Sequence, residues 1–311
     1  MIHYKLSYPL STVTWDGKKI SNIPISKIEK QLDILQSCGI SEVMLAGYHD
    51  EEPATFDMMG ESRKIGDLLR ARGMKGAQHH GFASSFAPPG TSQEDVVRRL
   101  KRYVDYTANL NADMIVYHTG KPVGPNTTPE LVAEFRKQTA EHGFDAVMRT
   151  VADNTRAAGE YAKEKGIRIA LENIDLDEPL CDPVHLPELL RMIAHPNVGF
   201  CLDTGHAWCS GSSIEKWIHD LGDLLFTTHV HDNHGVPRSG MRGDEHLPPG
   251  FGTISWRDVI LLLEEAGYRN TLNFESSQWP LPDPAEGYRC AIHYWRICEQ
   301  AAEKLKQDHV K

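Results

Sequence analysis

No apolar run in the 311 residues approaches the ~20 needed to cross a bilayer as a helix. The opening Met1-Ile2-His3-Tyr4-Lys5 lacks the charged-then-apolar pattern of a secretory leader, so a cytoplasmic protein with no membrane partner is expected. The six cysteines (Cys38, Cys181, Cys201, Cys209, Cys290 and Cys298) form no CxxC pair and no tight framework. That argues against a disulfide scaffold and for buried, reduced thiols. Low-complexity segments and linkers are absent. Positive charge is in deficit: 33 Lys and Arg stand against 43 Asp and Glu, for a net charge of −10. Because phosphate neutralisation supplies most non-specific affinity for nucleic acid, this balance argues against such a partner.

What the chain does have is alternation. Short β-rich runs recur at Tyr4–Ser7, Glu42–Gly47, Lys75–His79, Asp113–His118, Arg168–Asn173, Gly199–Asp203, Phe226–His231 and Thr271–Glu275. Amphipathic runs separate them: Ser26–Ser37, Thr91–Asn109, Thr128–Lys165, His185–Ile193, Ile214–Leu221, Trp256–Ala266 and Ala285–Leu305. The run from Thr91 opens with TSQE, a capping-box pattern. Thr128–Lys165 is long enough for two helices, with Gly143 and Gly159 as candidate breaks. Strands alternating with helices imply βαβ units and a parallel sheet. Eight units over this length predict one α/β domain spanning 1–311, a (β/α)₈ barrel. A doubly wound sheet would call for a Gly-rich phosphate loop after an early strand, and no GxGxxG stands there.

Chemistry in such a barrel sits at the C-terminal ends of the strands. Those ends read QHHG, YHTG, LEN, LDTGH, HVHDNH and FES. Eight of the 16 histidines (His79, His80, His118, His206, His229, His231, His234 and His246) fall there or in the loop after the seventh strand. Acids and imidazoles converging on one mouth would perturb each other's ionisation, and a divalent cation removes the conflict. The minimal ligand set is Glu172, Asp203, His231 and Glu275, one from each of four successive strands. Three carboxylates and one imidazole suit Mn²⁺ best, with Mg²⁺, Co²⁺ and Zn²⁺ as alternatives.

The ordered series LEN, DTGHAW, HVHD, DEHLPPGFGTISW and FES resembles the xylose-isomerase-like TIM-barrel superfamily along the whole chain. That superfamily includes sugar isomerases, ketose epimerases, inosose and dehydroshikimate dehydratases, and metal-dependent abasic-site endonucleases. The resemblance implies that Glu172, Asp203, His231 and Glu275 ligate the metal. It also implies that the two glutamates act as acid and base on opposite faces of a bound sugar. His206 would bind a substrate oxygen or a second metal. His80 (or His79), His118, Asp244 and His246 match positions that the endonuclease branch uses for a three-zinc cluster, so a second or third metal stays open. The implied activity is a divalent-metal-dependent sugar or polyol isomerase or epimerase. The alternatives are a dehydratase, an abasic-site endonuclease and a non-catalytic sugar- or metal-binding barrel. The expected partner is a small sugar or polyol, and assembly into a homo-oligomer stays open.

Several rim residues have plainer readings. Only one of His79 and His80 can face inward, because side chains alternate along a strand, and His80 is favoured. His229 shares the face of His231 but lies deeper, where a satisfied core histidine is expected. Asp232 is expected to hydrogen-bond an imidazole from behind. Asn173 is expected to do the same or to face substrate. His234 reads as loop surface. Trp208 and Trp279 suit either a sugar-stacking wall or helix packing. Lys121, Arg238 and Arg242 are basic rim residues, read chiefly as solvated loop charges. Gly250 and Gly252 are read as positive-φ positions, and Ser255 as the cap of the following helix.

Overall fold

Eight parallel strands close on themselves in the computed structural model, which describes residues 1–15, 20–46, 57–81, 85–86, 92–119, 129–174, 180–237, 243–276 and 278–309. The barrel strands are β1 (Leu6–Ser11), β2 (Glu42–Ala46), β3 (Lys75–His80), β4 (Met114–Tyr117), β5 (Arg168–Glu172), β6 (Val198–Asp203), β7 (Leu225–His229) and β8 (Leu272–Asn273). Each pairs with its neighbours in chain order, and β8 closes onto β1 through Leu6 opposite Leu272 and Ser7 opposite Asn273. A two-stranded antiparallel pair, Val13–Trp15 with Ile20–Asn22, stands outside the barrel. The structure is thus the (β/α)₈ barrel that the alternation implies.

The helices are α1 (Ile25–Ser37), α2 (Met58–Ala71), α3 (Gln93–Asn109), α4 (Pro129–His142), α5 (Phe144–Glu164), α6 (His185–Ile193), α7 (Thr204–Cys209), α8 (Ile214–Leu221), α9 (Trp256–Glu265) and α10 (Pro284–His309). Apolar stripes turn inward; in α1 the stripe is Ile28, Leu32 and Leu35, all buried. Burying one such side chain is worth roughly 1.5–3 kcal/mol. The capping box of α3 lies one residue later than TSQE suggests, with Ser92 and Asp95 exchanging bonds. Gly143, at φ +84°, ends α4 as expected. Gly159 does not break α5: a Cβ there would stand 2.8 Å from Val198 and 2.9 Å from the His195 ring. It is glycine for close approach. Helix α2 was not legible because its buried face mixes Met58, Ile65 and Leu69 with Ser62 and Gly66. A Cβ on Gly66 would meet the Asn109 carbonyl at 1.8 Å.

Alternation along the strands sets Gln78, Val116, Ala170, Cys201 and Thr227 one layer beneath His80, His118, Glu172, Asp203 and His229. Part of this layer is apolar: Val116, Ala170 and Cys201 pack with Met114. The other part is a hydrogen-bonded chain. Ser7 donates to Asn273 (2.6 Å), Asn273 to Thr227 (2.8 Å) and Thr227 to Gln78 (2.6 Å). The floor under the mouth is therefore closed and packed. All six cysteines are free thiols, four of them buried.

Candidate metal centre

The strand ends deliver their acids and imidazoles to one place. Glu172 closes β5 and is fully buried. Its Oε2 lies 3.3 Å from His80 Nε2 and 3.2 Å from His118 Nε2. Its Oε1 lies 2.9 Å from His229 Nδ1. Glu275 reaches the same imidazole from beyond β8, with Oε2 also 2.9 Å from His229 Nδ1. Backbone bonds continue past the assigned ends of β7 and β8, Val230 N to Asn273 O and Glu275 N to Val230 O, and fix that approach. His80, Glu172, His229 and Glu275 form an inner group whose ligand atoms lie within 4.8 Å of one another. Burial opposes the charged form of both carboxyls, but the surrounding imidazoles outweigh it. His229, His118 and His80 hold Glu172 well below the usual carboxylate range, and His229 and His80 do the same for Glu275.

A second group stands above the first. Asp203 ends β6 and caps α7, accepting the His206 amide at 2.6 Å. That cap starts a helix at the mouth and raises His206 over it. His206 Nδ1 lies 3.1 Å from the Asn173 carbonyl, which leaves Nε2 facing Asp244 Oδ2 at 3.4 Å. His246 Nε2 is 2.8 Å from the same oxygen, while its Nδ1 is 2.8 Å from the Glu275 carbonyl. His231 engages Asp203 through Nε2 at 2.9 Å and stacks on His246, ring centroids 4.0 Å apart. Gly205 makes room for that ring: a Cβ would sit 2.0 Å from it. His206, His231, Asp244 and His246 thus form an outer group. Burial would raise Asp244, but its bonds to His206 and His246 hold it below the ordinary range. Burial opposes charge on His246, yet the Asp244 bond and the Glu275 charge push it up to about 9.

The loop carrying Asp244 and His246 is clamped from below. Asp232 is fully buried and does not back an imidazole, contrary to the sequence expectation. Its carboxylate accepts four donors: the amides of Asn233 (3.0 Å), Gly250 (2.9 Å) and Ile254 (3.1 Å) and the Trp256 indole (2.9 Å). Gly250 has φ +96°, as expected. Gly252 is glycine for another reason, since a Cβ would strike Asp232 Oδ1 at 2.3 Å.

A model of the family described as xylose isomerase-like TIM barrel matches residues 32–298. The chain belongs to that family. Among curated relatives, uncharacterized protein MJ1311 of Methanocaldococcus jannaschii is 26% identical over 215 residues, 68% of this chain and 66% of that protein. An inosose isomerase of Halalkalibacterium halodurans is 25% identical over 132 residues, 42% of this chain and 46% of that protein. The chain thus spans about half to two thirds of the length of the curated relatives it matches. Among solved structures, an L-ribulose 3-epimerase superposes with a TM-score of 0.68 at 15% identity, covering 98% of both chains, a likeness of fold.

A solved structure of like fold is described as IOLI protein with a binding zinc atom, at a TM-score of 0.64 and 15% identity, and the donor set of this chain fits a metal. Glu172 Oε1 and Oε2, Glu275 Oε2, His229 Nδ1 and Nε2, His231 Nδ1 and Asp244 Oδ1 are buried without an aligned hydrogen bond. Buried polar atoms without partners are costly, and a cation between them satisfies several at once. Five residues (Glu172, Asp203, His206, His231 and Glu275) each belong to two of four overlapping groups, so an ion in one group would draw on donors shared with another. All nine residues singled out in the sequence meet at this mouth. Asp203, His231 and Glu275 form one group, whereas Glu172 joins Glu275 through His80 and His229.

His80 is the inward member of its pair. His79 packs beneath α3, with Nδ1 2.9 Å from Thr107 Oγ1 and its ring beside Tyr106. His229 is the residue that sequence reasoning set aside. It is as deep as expected, yet it stands between the two glutamates. The period-2 relation to His231 was the available signal. Asn173 reaches the backbone of Asp203 with both ends of its amide and holds β5 and β6 together at the rim. His234 is at the surface, paired with Glu245. Trp208 bonds Thr253 and Trp279 packs between Phe251 and Tyr294, which makes both packing residues. Ser255 is the N-cap residue of α9, but its hydroxyl bonds Asp258 rather than the helix amides. Lys121, Arg238 and Arg242 lie outside the described residues. Among the described residues no helix is long and apolar enough to cross a membrane.

Proposed function

We propose that this chain is a divalent-metal-dependent isomerase or epimerase of a sugar or polyol, working by proton transfer at a carbon next to a carbonyl. The observation that carries the reading is the approach of Glu172 and Glu275 from strands three apart to the same His229 nitrogen, each at 2.9 Å. Two carboxylates brought to one mouth from β5 and from beyond β8 supply the pair that removal and return of a proton on a bound carbon require. Glu172, Asp203, His231 and Glu275 would hold the cation, joined by His80 and His229. A bound ion would supply Lewis-acid polarisation of the carbonyl and compensation for the negative charge that develops when the proton leaves. The two carboxylates and two imidazoles of the inner group suit Mn²⁺ or Zn²⁺, and the three imidazoles of the outer group favour Zn²⁺.

The chain's own residues do the rest. Both glutamates are held as carboxylates at neutral pH, so either one can act as the proton acceptor. The other glutamate would first take a proton from water and give it to the opposite face of the carbon, and the glutamate that took the substrate proton would release it to water. A dehydratase would begin with the same abstraction and then lose a β-hydroxyl. A second reading, metal-assisted phosphodiester hydrolysis, is favoured by the outer group, which exceeds what proton transfer needs.

The test is deuterium wash-in from D₂O into ketoses and inososes, followed by NMR with Mn²⁺, Co²⁺, Mg²⁺ or Zn²⁺ and with chelator. The expected result is metal-dependent exchange at one carbon, cut by about 10²–10⁴-fold in Glu275→Gln. Full turnover in Glu275→Gln would refute the acid/base assignment. Nicking of abasic duplex DNA without sugar exchange would replace the reading with the hydrolytic one.

A further inference from the structure

We propose that Asn233 is the positioning residue that assembles the outer group, independently of the inner one; the proposal rests on the metal reading above. Asn233 is fully buried. Its Nδ2 donates to the Gly205 carbonyl at 2.9 Å, and its Oδ1 accepts from the Glu245 amide at 2.6 Å. Gly205 lies between Asp203 and His206 in the chain, and Glu245 lies between Asp244 and His246. One amide therefore ties together the two backbone segments that carry three of the four outer groups. The fourth, His231, is two residues before Asn233 itself.

The amide is itself immobilised. The Asn233 carbonyl accepts from Thr253 N at 3.0 Å, and its N–H donates to Asp232 Oδ1 at 3.0 Å. The inner group, by contrast, is placed by the ends of β3, β5, β7 and β8, and none of the Asn233 bonds described reaches those four residues. His246 shows why the tie is needed. It adopts φ +48°, a left-handed conformation that a non-glycine residue keeps only when its surroundings hold it. The Glu245 amide immediately before it is the group that Asn233 grips.

The side-chain chemistry is specific. A donor to a carbonyl and an acceptor for an N–H are needed from one planar group, and only an amide of this length offers both. An aspartate of the same shape keeps the bond from Glu245 but turns a bare oxygen toward the Gly205 carbonyl.

The experiment is a Co²⁺ titration of the full-length, chelator-stripped protein, followed by visible absorption and by bound-metal analysis. Wild type is expected to fill in two separable steps. Asn233→Asp is expected to weaken one step by about 10–100-fold, the usual effect of removing a partner that orients metal ligands, and to leave the other step unchanged. Asn233→Ser, which adds no charge and keeps a hydroxyl able to make one bond, is the second variant and is expected to show the same selective loss. Equal weakening of both steps, unchanged binding, or failure of both variants to fold would each overturn the proposal, since Asn233 would then be a general fold support or idle. A single step in wild type would instead overturn the two-group reading on which it rests.

Discussion

Replacing Gly205 with alanine tests the outer group with a single methyl. The new Cβ would lie 2.0 Å from His231 Cε1, 2.2 Å from Nδ1 and 2.7 Å from Nε2. The backbone has little freedom to retreat. Asp203 caps the start of α7 at the His206 amide, and the Gly205 carbonyl is bonded to Asn233. The imidazole is the part that moves. In moving it gives up two contacts of 2.9 Å to the Asp203 carboxylate and its stack on His246. Overpacking of this kind costs about 1–3 kcal/mol, and a hydrogen bond to a charged group is worth about 1.5–3 kcal/mol. Expressed at about 1.4 kcal/mol per decade, that loss corresponds to a fall of roughly 100-fold or more in affinity for an ion held by His231. The assay is metal content after equilibrium dialysis against Mn²⁺ or Zn²⁺, with far-UV circular dichroism to establish that the barrel persists. A folded Gly205→Ala protein that binds the wild-type number of ions with wild-type affinity would refute the placement of His231 in a metal group.

Two further predictions concern stability. Asp232→Asn replaces an acceptor of four donors with a side chain that brings two donors of its own, so chemical denaturation should show a loss of about 2–4 kcal/mol; a loss below about 0.5 kcal/mol would mean the clamp contributes little. His79 carries an acid-side prediction: burial, and secondarily the charge of His80, push its imidazole down to about 3 from an ordinary 6.5. Between those values the unfolded chain binds the extra proton, so this residue costs no stability above 6.5. Below 6.5 it removes about 1.4 kcal/mol per pH unit until about 3. Unfolding free energies of wild type and His79→Gln measured from pH 7.5 to 5 should converge toward low pH by roughly 2 kcal/mol, and parallel curves would contradict the burial argument.

The barrel was legible because its signal is periodic and repeated. Each of the eight β-rich runs became a strand, and Gly143 parted two helices where its positive φ allows no continuation. Helix α2 escaped because small residues on its buried face, Ser62 and Gly66, serve close packing and dilute the apolar stripe. The rim was legible for a different reason: strand ends at a barrel mouth converge whatever the loops do. His229 was read as a satisfied core histidine because it lies deep, yet its ring nitrogens are buried without an aligned hydrogen bond. Glu172 and Glu275 in fact turn inward to meet it. Asp232 was misjudged because its partners, Gly250, Ile254 and Trp256, are brought to it by a loop whose course local sequence does not encode.

The sharing of five side chains among four overlapping groups has a consequence for how this mouth responds to change. On the metal reading proposed above, none of these five could be altered for one group alone, whereas His80, His229, Asp244 and His246 each serve a single group. Pairs of substitutions among Glu172, Asp203, His206, His231 and Glu275 will therefore not sum, and the second loss in a pair will cost less than the first. The cylinder beneath, closed by its own ladder and packed floor, is built from other residues and keeps its shape through such replacements.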